Sequence, residues 1–176
     1  MANIDNPRGF RAVRHLSGAI PPTRRYSIDS SNATAIFRGD LVKIEADGNI
    51  ACAGAGDGTA VIGAVASCYD SNKKPVSYIP ASTAGYADVW DDPDTIFAVQ
   101  ADGNTAREDI GATKDHVTAS GNTLTGVSSH ELDSDGSGQN QLKIIGKVDV
   151  PGNEWGTNAE VEVIIVEHHY RSTASI

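Results

Sequence analysis

Cysteine and histidine have the broadest chemistry in this sequence, because a thiolate is a nucleophile and a soft metal ligand, and a neutral imidazole is a base or a ligand. Cys52 and Cys68 each lie within an apolar stretch. Two cysteines at this spacing make neither a disulfide framework nor a metal motif. We expect both to be buried free thiols, and a disulfide between them is the alternative.

The histidines are dispersed along the chain, at His15, His116, His130, His168 and His169. Adjacent histidines on a strand point to opposite faces, so His168 and His169 are poorly placed to share a metal ion. We expect the histidines to be solvated or to pack against other side chains. A metal at a subunit axis and a catalytic base are the alternatives.

Two acidic segments have the composition of cation or proton-transfer sites. Asp133–Gln139 is similar to the start of an oxygen-ligand calcium loop but lacks the closing glutamate, and Asp91–Asp94 is typical of a solvated turn between strands. The chain has neither the Gly-x-Ser-x-Gly signature of a nucleophile nor a Gly-rich phosphate loop followed by Lys-Ser/Thr. We therefore predict no catalytic residue, no metal ligand, no cofactor and no small-molecule substrate, and we expect that the protein is not an enzyme.

The elements that carry these residues are predicted to be short β-strands. Runs of apolar and β-branched residues alternate with Gly, Asp and Asn turns, which indicates an all-β fold, namely a single antiparallel β-sandwich or β-barrel domain. Within the last predicted strand, Val161, Val163 and Ile165 share one face. The predicted strands are the hairpin Leu41–Glu45 and Asn49–Cys52 around Asp47-Gly48, a two-sided buried strand at Thr59–Ala66, and the runs Val76–Ile79, Tyr86–Trp90, Thr95–Gln100, Leu142–Val148 and Ala159–Glu167.

Residues 111–141 are predicted to be a polar, loop-rich insert in this body. They are rich in Gly, Ser, Asn and Asp and hold few sizeable apolar side chains, so we expect irregular surface excursions with one short strand. The helical signal is limited to a single turn at Ala106–Ala112, for which Thr105 is the candidate N-cap.

Charge divides the chain into a basic N-terminal segment and an acidic body. Residues 1–25 hold five Arg against Asp5, a net of +4, and the other 151 residues hold nine Lys or Arg against 22 acids, a net of −13. An acidic body lacks the positive groove that a nucleic acid requires, and no apolar window is long enough to span a membrane. We expect a soluble protein with neither a nucleic-acid nor a membrane partner.

Residues 1–25 lack amphipathic periodicity and contain three prolines. We interpret them as an extended N-terminal arm that becomes ordered on a partner, with a disordered tail as the alternative, and we assign residues 26–176 to the β body. Apolar arm residues would bury area on the partner, and arginines would meet acidic patches. The candidate partner-binding residues are Arg8, Phe10, Arg11, Val13, Arg14 and Leu16.

Several segments resemble the head decoration proteins of tailed bacteriophages, also called capsid cement or stabilisation proteins. Residues 6–16 (NPRGFRAVRHL) are similar to the opening of those proteins, and residues 35–44 (AIFRGDLVKI) are similar to the phrase in which a Gly-Asp turn introduces the first strand. Residues 142–149 (LKIIGKVD) and 151–156 (PGNEWG) are similar to their closing hairpin.

The resemblance implies a structural virion protein that is made in the bacterial cytoplasm and binds the outer surface of an icosahedral capsid. It further implies a homotrimer that clamps neighbouring copies of the major capsid protein and lays its arm over them. The alternative function is a carbohydrate- or receptor-binding β module of a phage fibre or adhesin. In such a module Trp90, Trp155 and Tyr86 would share one exposed face, so burial of both tryptophans would count against it.

Overall fold

The predicted alternation of short strands and turns is present in the folded chain. The computed structural model describes residues 3–56, 60–135 and 141–171, and it shows an all-β fold with several antiparallel sheets. In chain order the strands are β1 (Arg11–His15), β2 (Arg24–Ile28), β3 (Ile36–Phe37), β4 (Leu41–Ile44), β5 (Ile50–Cys52), β6 (Gly63–Asp70), β7 (Pro75–Val76), β8 (Tyr78–Ile79), β9 (Gly85–Trp90), β10 (Thr95–Gln100), β11 (Asn104–Thr105), β12 (Thr113–Lys114), β13 (His116–Val117), β14 (Glu131–Leu132), β15 (Leu142–Lys147), β16 (Gly156–Thr157) and β17 (Glu160–Ile165).

The first large sheet has five antiparallel strands in the order β1-β10-β17-β15-β12. Its central strand β17 alternates as predicted, because Val161, Val163 and Ile165 are buried and the residues between them are half-buried on the other face. Strand β10 is buried along almost its whole length. The sheet therefore presents one strongly apolar face to the interior.

The second large sheet has the order β2-β9-β6-β4-β5, with β7 added beside β6. Strands β4 and β5 form the predicted hairpin around Asp47-Gly48, and Gly48 takes the positive φ of 82° that such a turn requires. The outer strands of this sheet approach each other, because Ser27 Oγ donates a hydrogen bond of 2.6 Å to Asn49 Oδ1.

Strand β6 lies later in the chain than the predicted strand Thr59–Ala66, and Thr59 lies outside the described residues. Val61 and Ile62 are buried, but they pair elsewhere: the Val61 N–H donates to the Glu167 carbonyl, and the Ile62 N–H donates to the β4 backbone. Pairing with β9 starts only beyond Gly63. The two-sided burial of this stretch is as predicted, and its strand boundary is corrected.

Among the described residues, two clusters of buried side chains form the interior. The main cluster joins the two large sheets, and the second cluster lies on the opposite face of the six-stranded sheet. Leu41 and Ala64 face the main cluster, whereas their chain neighbours Val42 and Val65 face the second cluster. The main cluster comprises Phe10, Leu41, Ala53, Val61, Ala64, Phe97, Val99, Ala101, Leu132, Leu142, Ile144, Val161, Val163 and Ile165. The second cluster comprises Ile28, Ile36, Val42, Ile50, Ile62, Val65, Cys68, Ile79, Ala87 and Val89.

Much of the N-terminal segment belongs to the body in this structure. Residues 11–15 form β1, an edge strand on β10, and residues 24–28 form β2, an edge strand on β9. The Phe10 N–H donates to the Gly39 carbonyl at 2.8 Å. Backbone pairing thus places residues 11–15 and 24–25 within the sheets, although they were assigned to a separate arm.

Residues 111–141 are more integrated than an irregular surface insert. Strand β12 extends the five-stranded sheet, and β13 pairs with β14. Asp115, His116, His130 and Leu132 are buried. The expectation of surface excursions is wrong for this part, because polar side chains can be buried when they find hydrogen-bond partners, as His116 does with Gln141.

The single helical turn is present, and it is shorter than predicted. A 3-10 helix spans Arg107–Asp109, and its N-cap is Ala106, whose N–H donates to the Asp109 carboxylate at 2.7 Å. Thr105 lies in β11 and is not the cap, so the capping prediction is corrected. The carboxylate at the end of the turn reaches back to the N–H of the N-cap residue, which is the half of a capping box that an acidic side chain at this position supplies.

Candidate functional site

The six predicted partner-binding residues have three different environments. Phe10 is fully buried (0% exposed) and packs edge-on against Phe97, with ring centroids 6.5 Å apart. Its side chain therefore belongs to the main cluster and is not available to a partner in this conformation. The sequence offers little sign of this burial, since Phe10 is a single aromatic among arginines.

The arginines of β1 pair with acidic side chains of the same sheet. Arg11 forms an ion pair with Glu160, and Arg14 forms one with Glu162 at 2.6 Å. Both guanidinium groups remain about half-exposed, so each pair is a surface pair of modest stability. Arg8 is exposed. The basic character of the segment is thus partly neutralised within the chain.

Apolar side chains are exposed along β1 and the segment that joins it to β2. Val13 is 41% exposed, Leu16 is 56% exposed, and Ile20 is 91% exposed. We call Val13, Leu16 and Ile20 the docking surface. Ile20 was not among the predicted site residues, although the sequence shows it as an isolated apolar residue directly before two prolines.

The docking surface is connected to both large sheets. The Leu16 N–H donates to the Asp94 carbonyl at 3.0 Å, and the Gly18 N–H donates to the His15 carbonyl at 2.9 Å. Gly18 has a φ of +80°, which is readily adopted only by glycine. The connecting segment therefore begins at a fixed turn on the five-stranded sheet and ends at β2 in the six-stranded sheet.

The acidic turn Asp91–Asp94 is a structural junction. Asp91 accepts a hydrogen bond from the Tyr26 hydroxyl at 2.7 Å, Asp92 pairs with His15 at 3.0 Å, and Asp94 forms an ion pair with Arg171. These carboxylates connect the turn to the end of β1, to the middle of β2 and to the C-terminal segment. The turn was predicted to be simply solvated, whereas Asp91 is buried.

A polar cluster that sequence reasoning did not assemble lies beside a small cavity. His130 Nε2 lies 3.5 Å from Asp40 Oδ1 and 3.6 Å from Cys52 Sγ. The cavity has a volume of about 210 Å³ and is lined by these residues together with Phe37 and Ser120, among others. No motif links the three residues, because the hairpin and the 111–141 segment meet only in the folded chain.

Burial changes the acid–base properties of this cluster. It raises the pKa of the Asp40 carboxyl to about 6, raises the pKa of the Cys52 thiol to about 12 and lowers the pKa of the His130 imidazole to about 3. Asp40 and Cys52 face the same ring nitrogen, whereas a nucleophilic relay needs them on opposite nitrogens. The cluster therefore does not have the geometry of a cysteine nucleophile with an oriented base.

The remaining candidate residues have structural environments. Both cysteines are free thiols, as predicted, with Cys68 buried and Cys52 half-buried. His116 is buried and lies against the Ala53 carbonyl at 3.1 Å, and His168 is buried. In the segment Asp133–Gln139, the residues from Gly136 onward lie outside the described residues.

The two tryptophans and Tyr86 are the candidate stacking residues of the alternative, sugar-binding function. Trp90 and Trp155 are half-buried, and both pack against the main cluster. Tyr86 lies on the six-stranded sheet, where its ring is 5.8 Å from the Lys73 ammonium group. Neither tryptophan is fully buried, so the burial that would count against sugar stacking is not observed.

In the described part of the chain, no helix is long and apolar enough to cross a membrane. Comparison of the sequence and structure with family models, curated proteins and solved structures finds no match.

Proposed function

We propose that this protein is a structural phage protein that binds the outside of an icosahedral capsid, as a homotrimer, and stabilises it by clamping neighbouring major capsid proteins. The observation that carries the proposal is the docking surface, in which exposed apolar side chains alternate along the chain with arginines. Such a surface fits a protein partner, since burial of exposed apolar side chains contributes affinity and charged groups set orientation. The resemblance of residues 6–16 to the start of decoration proteins supports the same partner.

The proposed mechanism is stabilisation by mass action. A protein that binds the assembled shell, and not the free subunits, lowers the free energy of the shell. Three docking surfaces on one homotrimer would make the second and third contacts intramolecular, so modest individual contacts would suffice. No reaction is required of the protein, and the proposal includes no catalytic step and no cofactor.

The first test measures binding to phage heads that lack decoration protein. Labelled protein is mixed with heads, the heads are sedimented, and bound copies per head are counted across a concentration series. We expect saturation at an integral number of copies per shell and a raised melting temperature of the shell. Absence of saturable binding would refute the proposal and direct the work to a glycan array.

A matched pair of variants locates the contact. Ile20→Ser removes an exposed apolar side chain from the docking surface, and Leu124→Ser removes one that is equally exposed, at 91%, elsewhere in the chain. Burying such a side chain contributes about 1.5–3 kcal/mol, so Ile20→Ser should weaken shell binding roughly ten- to hundredfold. Leu124→Ser should bind like wild type. Equal affinities of the two variants for the shell would show that the docking surface does not contact the capsid.

A further inference from the structure

Three side chains that are distant in sequence meet beside the 210 Å³ cavity. Asp40 immediately precedes β4, Cys52 ends β5, and His130 immediately precedes β14. We propose that Asp40, Cys52 and His130 bind a divalent transition metal of the Zn²⁺ class. The sequence predicted no metal ligand, and the inference goes beyond the proposed capsid function.

The two distances from His130 Nε2 to the other ligand atoms match those around a tetrahedral metal. Zn–N and Zn–O bonds of about 2.0–2.2 Å and Zn–S bonds of about 2.3 Å place neighbouring ligand atoms roughly 3.3–3.7 Å apart. His130 Nε2 lies 3.5 Å from Asp40 Oδ1 and 3.6 Å from Cys52 Sγ, and all three ligand atoms lie within 4.8 Å of one another. Small side-chain rotations would complete the site.

The carboxylate of Asp40 has a buried oxygen that a bound cation would satisfy. Oδ2 accepts the Phe37 N–H at 2.8 Å, which fixes the orientation of the group. Oδ1 is buried and, among the residues that the structure describes, has no hydrogen-bond partner. A buried carboxylate oxygen without a partner is costly. At 3.5 Å the His130 ring is too far away for a good hydrogen bond.

The donor set selects the class of metal. A thiolate, an imidazole and a carboxylate suit Zn²⁺ or Co²⁺, whereas Ca²⁺ and Mg²⁺ prefer oxygen ligands alone. Three protein ligands leave a fourth position, which faces the cavity and would take water. Cys68 is not an alternative metal ligand, because its thiol faces the Ile36 carbonyl within the second cluster.

Metal binding redistributes two protons. The Cys52 thiol gives its proton to solvent and binds as the thiolate. In the metal-free site the Leu41 N–H donates to His130 Nδ1 at 3.4 Å, so the ring proton lies on Nε2. Coordination through Nε2 moves that proton to Nδ1, and the long contact with Leu41 is lost. The bound metal would join β4, β5 and the segment before β14, and would thereby stabilise the fold.

Cobalt provides a direct test with the full chain. The protein is stripped with a chelator, kept reduced with a phosphine and titrated with Co²⁺. We expect one Co²⁺ per chain, with thiolate-to-cobalt charge-transfer absorption in the ultraviolet and the intense visible bands of tetrahedral Co²⁺. Zn²⁺ should displace Co²⁺ and abolish both signals, and Mg²⁺ should not. A wild-type protein without the charge-transfer band would overturn the proposal.

Identical substitutions at the two cysteines provide the control. Cys52→Ala should lose the charge-transfer band, and Cys68→Ala should keep it; loss in both or in neither would overturn the assignment. His130→Asn should lose the tetrahedral visible bands, which keeps the test decisive if Cys52→Ala does not fold. Zn²⁺ at about 100 times its Kd should raise the Tm of wild type by roughly 5–10 °C, and an unchanged Tm would overturn the stabilising role.

Discussion

Replacing Phe10 by alanine tests whether the start of the chain is a structural part of the body. The Phe10 side chain is fully buried, and its ring lies edge-on to Phe97 and to His116, with centroids 6.5 and 6.3 Å away. Truncation of a buried Phe costs about 3–5 kcal/mol, from lost transfer energy and from the cavity that remains. For a chain of this length the Tm should fall by roughly 6–20 °C.

Urea unfolding followed by tryptophan fluorescence measures this loss. Leu16→Ala is the control, because Leu16 is exposed on the docking surface and its truncation should change the free energy of unfolding by less than about 0.5 kcal/mol. If residues 1–25 formed a free arm, Phe10→Ala would be equally neutral. A loss below about 1 kcal/mol for Phe10→Ala would therefore refute its place in the main cluster.

Three further variants probe other buried contacts. His168 is buried, and this burial, followed by the charge of Arg171, lowers its pKa to about 4. The stability that its neutral ring contributes is therefore complete above about pH 6.5 and is lost as the pH falls towards 4. In urea unfolding, acidification to about pH 5 should destabilise wild type by about 2 kcal/mol more than His168→Gln. Gly9→Ala should lower the Tm well below that of Gly18→Ala in calorimetry, because both glycines have positive φ, and a Cβ at Gly9 alone would meet atoms as close as 2.5 Å. Asn153 bonds three backbone groups around β15 and β17, so Asn153→Ala should cost about 1–3 kcal/mol in denaturant melts.

Strand positions were predictable where local sequence decides them. The Asp47-Gly48 turn dictates the β4–β5 hairpin, because few other dipeptides accept its backbone angles. The alternation in β17 dictates which residues face the interior, since successive side chains on a strand point to opposite faces. Both features depend only on residues near one another in the chain.

The features of the fold that were not predicted depend on contacts between residues that are distant in sequence. Phe10 is buried because Gly39 and β10 hold the backbone beside it, and nothing within residues 1–25 signals that pairing. The buried polar residues of the 111–141 segment, such as His116, were interpreted as surface residues. Amino-acid composition shows that a residue is polar but not whether the folded chain gives it a hydrogen-bond partner. The cluster of Asp40, Cys52 and His130 needs the hairpin and this segment to meet, and no spacing rule encodes that meeting.

The attachment of the N-terminal segment changes how the proposed capsid contact would work. A free arm would lose much conformational entropy on binding. The docking surface instead lies in a segment fixed at β1 on one sheet and at β2 on the other, so less ordering would oppose binding. Deletion of residues 1–25 would not isolate the contact, because it would also remove Phe10 and expose the edge of β10. Point substitutions at Leu16 and Ile20 leave the body intact and isolate the contact itself.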